Sequence, residues 1–196
     1  MDVGSPRWRL HSSAMRLFHF SDDPDIAVFE PRPVKVPSVR QPGREWLNGP
    51  LVWAIDEQRQ PMYLFPRECP RILLWPTADT SETDLARWWG ARASRAIAHI
   101  EWAWFDAFCT TRLVRYELPA EAFESLDDAG MWVARSPVRP IGREMIEHLP
   151  TALRDNDVEL RVMQDLSPLK GVWSTTLHAS GIRLRNASNW QETLSA

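Results

Sequence analysis

Two cysteines, two lysines and two tyrosines in 196 residues set the first limits. Neither the number nor the spacing of Cys69 and Cys109 makes a zinc framework, and both are expected to stay reduced. No stretch approaches the roughly 18 to 20 uninterrupted apolar residues of a membrane-spanning helix. Glycine-rich phosphate loops, internal repeats and low-complexity blocks are absent. A net charge of -3 removes the global basic field that draws proteins to nucleic acid or anionic membranes. Residues 1–14 carry Arg7, Trp8, Arg9 and His11 but lack the apolar core of a secretory signal. They are expected to form a flexible extension ahead of one globular domain over 15–196, with Met15 a candidate start and the cytoplasm the default compartment.

Other residues are abundant. The basic side chains are 21 Arg against 2 Lys. Arginine grips phosphate and carboxylate with a planar fork, yet its even spread here reads as genomic base composition, since enrichment signals binding only when clustered. Eleven tryptophans are many for this length; most should be core, with one or two free to line a pocket that stacks a flat ligand. A chain of this size buries roughly 70% of the surface its unfolded form exposes, so one sizeable core is expected.

Residues 15–20 and 26–29 read as short strands separated by the turn-forming Ser21-Asp22-Asp23-Pro24. Five prolines and two glycines over 31–50 mark a loop or extended arm. Residues 51–55 and 71–75 read as buried strands, with a polar turn over 56–60 and an apolar run over 62–65 between them. Ser81-Glu82-Thr83-Asp84 resembles a capping box and should open a helix through Trp89. Ile97, Ile100, Trp104 and Phe108 recur at three and four, predicting an amphipathic helix over 93–108 with Glu101 at its boundary reaching water. Strands follow at 112–118 and 130–134. Met145, Ile146, Leu149 and Leu153 predict a second helix, ahead of strands at 158–162 and 175–184. Interspersed elements without regular strand-helix alternation predict an α+β fold with a mixed or antiparallel sheet.

Polar groups gather at strand ends. If the first strand alternates, Phe18 and Phe20 face one side while Leu17, His19 and Ser21 face the other. A neutral imidazole donates from one nitrogen and accepts at the other, which suits a ribose hydroxyl or general acid-base work; a satisfied core histidine is the plainer reading. Tyr63 is either a core aromatic or a stacking surface. Arg67 and Arg71 flank Cys69 and form a candidate anion clamp, and adjacent cations would lower the thiol pKa; without a general base, Cys69 gets no nucleophilic role. Thr176, His178 and Ser180 share a face if extended, but no Gly-x-Ser-x-Gly elbow accompanies them. His99 and His148, read as helical, lack an i+4 ligand partner.

Leu17-Phe18-His19-Phe20-Ser21, Phe29-Glu30-Pro31-Arg32, Val52-Trp53-Ala54-Ile55-Asp56, Tyr63-Leu64-Phe65-Pro66-Arg67, Cys69-Pro70-Arg71 and Ser180-Gly181-Ile182-Arg183-Leu184-Arg185-Asn186-Ala187 together resemble an uncharacterised bacterial domain of unknown function. More remotely, the histidine at the end of a first strand and the later tyrosine are similar to the layout of ADP-ribosyltransferase-like folds. That resemblance implies NAD or another nucleotide as ligand, in a cleft lined by His19 and Tyr63. His19 and Ser21 would hold the ribose, Tyr63 would stack on nicotinamide, and Trp53, Arg67 and Arg71 would complete the binding set. The third part of the pattern, a glutamate that stabilises the oxocarbenium ion, has no counterpart in Gly130-Met131-Trp132-Val133-Ala134-Arg135-Ser136; Glu117 or Glu144 would need a different alignment. A non-catalytic binding or assembly domain is the alternative.

Overall fold

The second sheet is built around two strands with no exposed residue: β3 (Arg71–Trp75) is buried at all five positions and β4 (Ala96–Glu101) at all six. Strands covered on both faces read as continuous apolar runs rather than alternating ones. The computed structural model describes residues 15–90 and 94–190. The expected extension over 1–14 lies outside the described residues, as does Ala93 at the start of the expected first helix.

The remaining strands are β1 (Leu17–Ser21), β2 (Val52–Asp56), β5 (Leu113–Leu118), β6 (Glu124–Ser125), β7 (Met131–Ala134), β8 (Gly142–Ile146), β9 (Val158–Met163) and β10 (His178–Ile182). Helices are short: α1 (Glu82–Asp84), α2 (Phe105–Thr110) and α3 (Leu149–Asp155), with several 3-10 turns. A six-stranded antiparallel sheet runs β6-β7-β2-β1-β5-β8 and a four-stranded sheet runs β10-β3-β4-β9. Among the described strands only β4 and β9 pair in parallel, and the long connection that parallel pairing demands carries α2, α3 and part of the first sheet. The fold is therefore α+β with one antiparallel and one mixed sheet.

Alternation in β1 sorts its side chains as expected. Phe18 joins Ile55 and Leu113 in the core between the sheets, against Ile72, Leu74, Ile97 and Ile100, and Phe65, Phe108, Leu149 and Leu153 close the same cluster. Leu17 enters a second cluster with Phe29, Val52, Val114 and Tyr116 on the opposite face of the first sheet. Among the described residues no helix is long and apolar enough to cross a membrane.

Three expectations change. The helix over 93–108 is instead β4, a turn over Trp102–Trp104 and then α2; the three-four spacing of Ile97 and Ile100 arises because every position of β4 is buried, so no strand alternation shows. The helix expected from Met145 begins only at Leu149, and Met145 and Ile146 end the exposed edge strand β8. The strand expected over 26–29 reduces to one bridge between Phe29 and Val138. The Ser81 cap does form: its Oγ accepts from the Asp84 amide at 3.2 Å, and the chain continues beyond α1 as a π-helical turn over Leu85–Trp89.

Candidate functional site

The ladder between β1 and β2 holds only Leu17 with Asp56 and Phe18 with Ile55. Beyond it β1 pairs with β5 through Ser21 while β2 follows β7 through Val52, so the first sheet opens between its two central strands. His19 stands at this opening. Its Nδ1 donates to the Trp53 carbonyl at 2.8 Å, which leaves Nε2 of the neutral ring as acceptor. The imidazole packs 4.7 Å from Phe29. Burial, aided by the nearby Arg67 charge and opposed by the bond to Trp53, lowers its pKa. Ser21 is buried and its Oγ accepts from the Asp23 amide at 3.1 Å, shaping the turn after β1. The Trp53 indole Nε1 is buried without a hydrogen-bond partner.

Phe20 leaves the other face of β1. Its ring lies 14° from parallel with that of Tyr63, centroids 6.4 Å apart. Tyr63 ends the 3-10 turn Gln60–Tyr63, which Pro61 starts with its fixed φ. Its hydroxyl donates to Met131 Sδ at 3.4 Å, and burial raises its pKa, so it is neutral. Arg71 lies behind it, its guanidinium carbon 5.7 Å from the Tyr63 ring centroid and 5.2 Å from that of Phe65. Arg71 is 2% exposed; it donates to the carbonyls of Met62 at 2.8 Å and Cys69 at 2.9 Å. No ion pair within 4.0 Å is made to it by any described carboxylate. Burial lowers its pKa to about 10, so it remains a cation at neutral pH, held by carbonyl dipoles and aromatic faces.

Arg67 is exposed, 3.8 Å from Asp22. Glu68 accepts from Arg185 at 2.9 Å and from Asn186 at 3.1 Å and lies 3.4 Å from Arg183. Burial opposes its ionisation, but the Asn186 amide and these guanidinium groups outweigh it and hold its pKa low. Cys69 departs from expectation: fully buried, its thiol is pushed up to about 12, because desolvation exceeds the pull of Arg71.

The structure thus brings Phe20, Tyr63 and Arg71 together. His19 and Ser21 stand on the other face of β1, His19 bonded to the Trp53 carbonyl of β2, and Arg67 is near enough to His19 for its charge to act there. The expectation that His19 and Tyr63 line one cleft is corrected by strand alternation: Tyr63 packs on Phe20, whose side chain points opposite to that of His19. Glu117 is held by both ends of the Arg16 fork at 3.0 and 2.9 Å, and Glu144 is paired with Arg115. Glu101, expected at the surface, is 1% exposed and accepts from the amides of Leu166 and Ser188 and from the Ser188 hydroxyl. It pins the C-terminal segment to the end of β4.

His99 lies in β4, 2% exposed, its pKa lowered to about 4 by burial, and His148 is exposed just before α3. Among the described residues no three His, Cys, Asp or Glu side chains are placed to hold a metal ion. Thr176 lies outside β10 and donates to Asp84 at 2.6 Å rather than sharing a reactive face with His178. Phe20, outside the expected site set, lies on Phe18's side of β1 through its alternation with His19.

The chain belongs to a family of unknown function (DUF6886), which matches residues 18–187. No curated protein and no solved structure matches it.

Proposed function

We propose that this member of the family binds a nucleotide, with NAD the first ligand to test, at the Phe20–Tyr63 ring pair. One arrangement carries the reading: two nearly parallel aromatic rings beside a buried guanidinium that makes no direct ion pair with a described carboxylate, Glu68 acting on it only through space. A base or nicotinamide ring has a π-face for Tyr63, and such stacking contributes about 1–3 kcal/mol per base. Phosphate oxygens suit the forks of Arg67 and Arg183, whose described acidic neighbours are Asp22 and Glu68. Arg71 supplies positive potential from behind the ring. His19, committed through Nδ1 to Trp53, holds the opening between β1 and β2 in this reading rather than the ligand.

Binding is favoured over ADP-ribosyl transfer because none of the glutamates considered for the third role faces Tyr63; the carboxylate whose charge reaches that ring, Asp128, is an exposed aspartate. Strand β7 carries no carboxylate, and Glu117, Glu144 and Glu101 are each engaged elsewhere. The test is a thermal-shift comparison of the full chain with NAD, ADP-ribose and AMP, since a ligand that binds only the folded state raises its stability. A saturable rise in Tm with at least one of them is expected. No rise with any of the three at millimolar concentration would refute the reading.

A further inference from the structure

A cavity of about 130 Å³ opens at the ends of β3 and β4, lined among others by Arg59, Met62, Leu73, Trp75, Arg95 and Val158. Its aromatic wall is fixed from two sides of the fold. The Arg59 guanidinium carbon stands 4.3 Å from the centroid of the Trp75 ring, and His178, its cross-strand neighbour, stacks on the same indole at 4.1 Å and 15°. The indole is 4% exposed, so it does not swing out to open or close the space.

The polar lining is unbalanced. The Arg59 amide donates to Asp56 Oδ1 at 2.7 Å, and the same carboxylate acts on the guanidinium through space, without a direct ion pair among the described residues. Arg95 donates its Nε to the Asn156 carbonyl and its amide to Asp157, again without an ion pair to its guanidinium. Burial lowers the pKa of Arg59, Asp56 opposes the shift, and Arg95 is close enough to add to it. Two like charges around one partly apolar cavity repel, and an anion between them converts that repulsion into two charge-assisted hydrogen bonds.

The rest of the lining sets the body of the ligand. Met62, Leu73, Trp75 and Val158 offer apolar surface and an aromatic face, which disfavours a compact, fully hydrated dianion such as phosphate. For scale, an apolar protein cavity of about 150 Å³ accommodates benzene.

We propose that this cavity binds a small monocarboxylate on an apolar body no larger than one six-membered ring, its carboxylate between Arg59 and Arg95 and its body against Trp75. The cavity is separate from the nucleotide reading, although the two share the turn on which Met62 and Tyr63 are neighbours and the strand β3, which carries both Arg71 and Trp75.

The experiment is calorimetric titration of the full chain with benzoate, benzyl alcohol and inorganic phosphate. Benzoate is expected to bind at one site, with benzyl alcohol and phosphate at least tenfold weaker. Arg95→Gln, at an exposed position where folding is not at risk, should weaken benzoate about tenfold or more, and so should Arg59→Gln. Ala96→Leu fills the cavity while keeping both arginines and should abolish binding. No benzoate binding, equal binding of the neutral alcohol or of phosphate, or unchanged affinity in Arg95→Gln or Ala96→Leu would each overturn the proposal.

Discussion

Phe20 and Tyr63 lie with their rings 14° from parallel, on the opposite side of β1 from His19, which rests against Phe29. Tyr63 contributes mainly as a ring, because its hydroxyl meets only a thioether. Tyr63→Phe should therefore cost less than about 1 kcal/mol in urea unfolding, the scale of one weak hydrogen bond. Tyr63→Ala should cost about 3 kcal/mol, the range seen when a large core side chain is truncated.

Glu101 gives the sharpest structural prediction. Glu101→Ala strips the buried Leu166 amide of its acceptor, an orphaned donor that costs about 1–3 kcal/mol, and frees the part-buried Ser188 amide and hydroxyl that hold the C-terminal segment. A loss of about 3 kcal/mol is expected, with faster proteolysis of the segment around Ser188. Glu101→Gln keeps one acceptor oxygen and should lose less than the alanine variant.

The buried His99 makes stability depend on pH. Its pKa falls from 6.5 unfolded to about 4 folded because burial disfavours the imidazolium. The unfolded chain takes up a proton below pH 6.5 while the native one does not until about pH 4, so this contribution is complete above 6.5 and lost between the two values. It amounts to about 3 kcal/mol at most. His19 and His178, also lowered by burial, act in the same direction. Urea unfolding from pH 7 to 5 should show stability falling with acidity, and His99→Gln should flatten that slope; an unchanged slope would contradict the assignment.

The two thiols should differ in reactivity. Cys69 is fully buried with a pKa near 12, whereas Cys109 is only partly buried. Iodoacetamide at pH 8 should label Cys109 in the native protein and Cys69 only after unfolding, as read by peptide mass spectrometry.

Much of the sheet architecture was legible because most strands carry their own signal. Leu17–Ser21 alternates, Arg71–Trp75 is one apolar run between turn residues, and Met131–Ala134 follows a glycine with positive φ. Ala96–Glu101 was not legible, since a strand buried on both faces fits helical and extended templates alike. Glu101 was misplaced for the same reason: its acceptors are satisfied by amides 65 and 87 residues away, which no local pattern encodes. In the site, Tyr63 and Arg71 were picked out by residue type, but the face that joins them to Phe20 instead of His19 depends on how the second sheet packs.

The central claim is that Tyr63 stacks a flat ligand. Its most direct test is the calorimetric affinity of the full chain for NAD, compared between the native sequence and Tyr63→Leu, which keeps apolar volume but removes the π-face. A loss of one base–aromatic stack, about 1–3 kcal/mol, predicts weakening of roughly 5- to 150-fold. Equal affinity in the two proteins, or no binding in either, would contradict it.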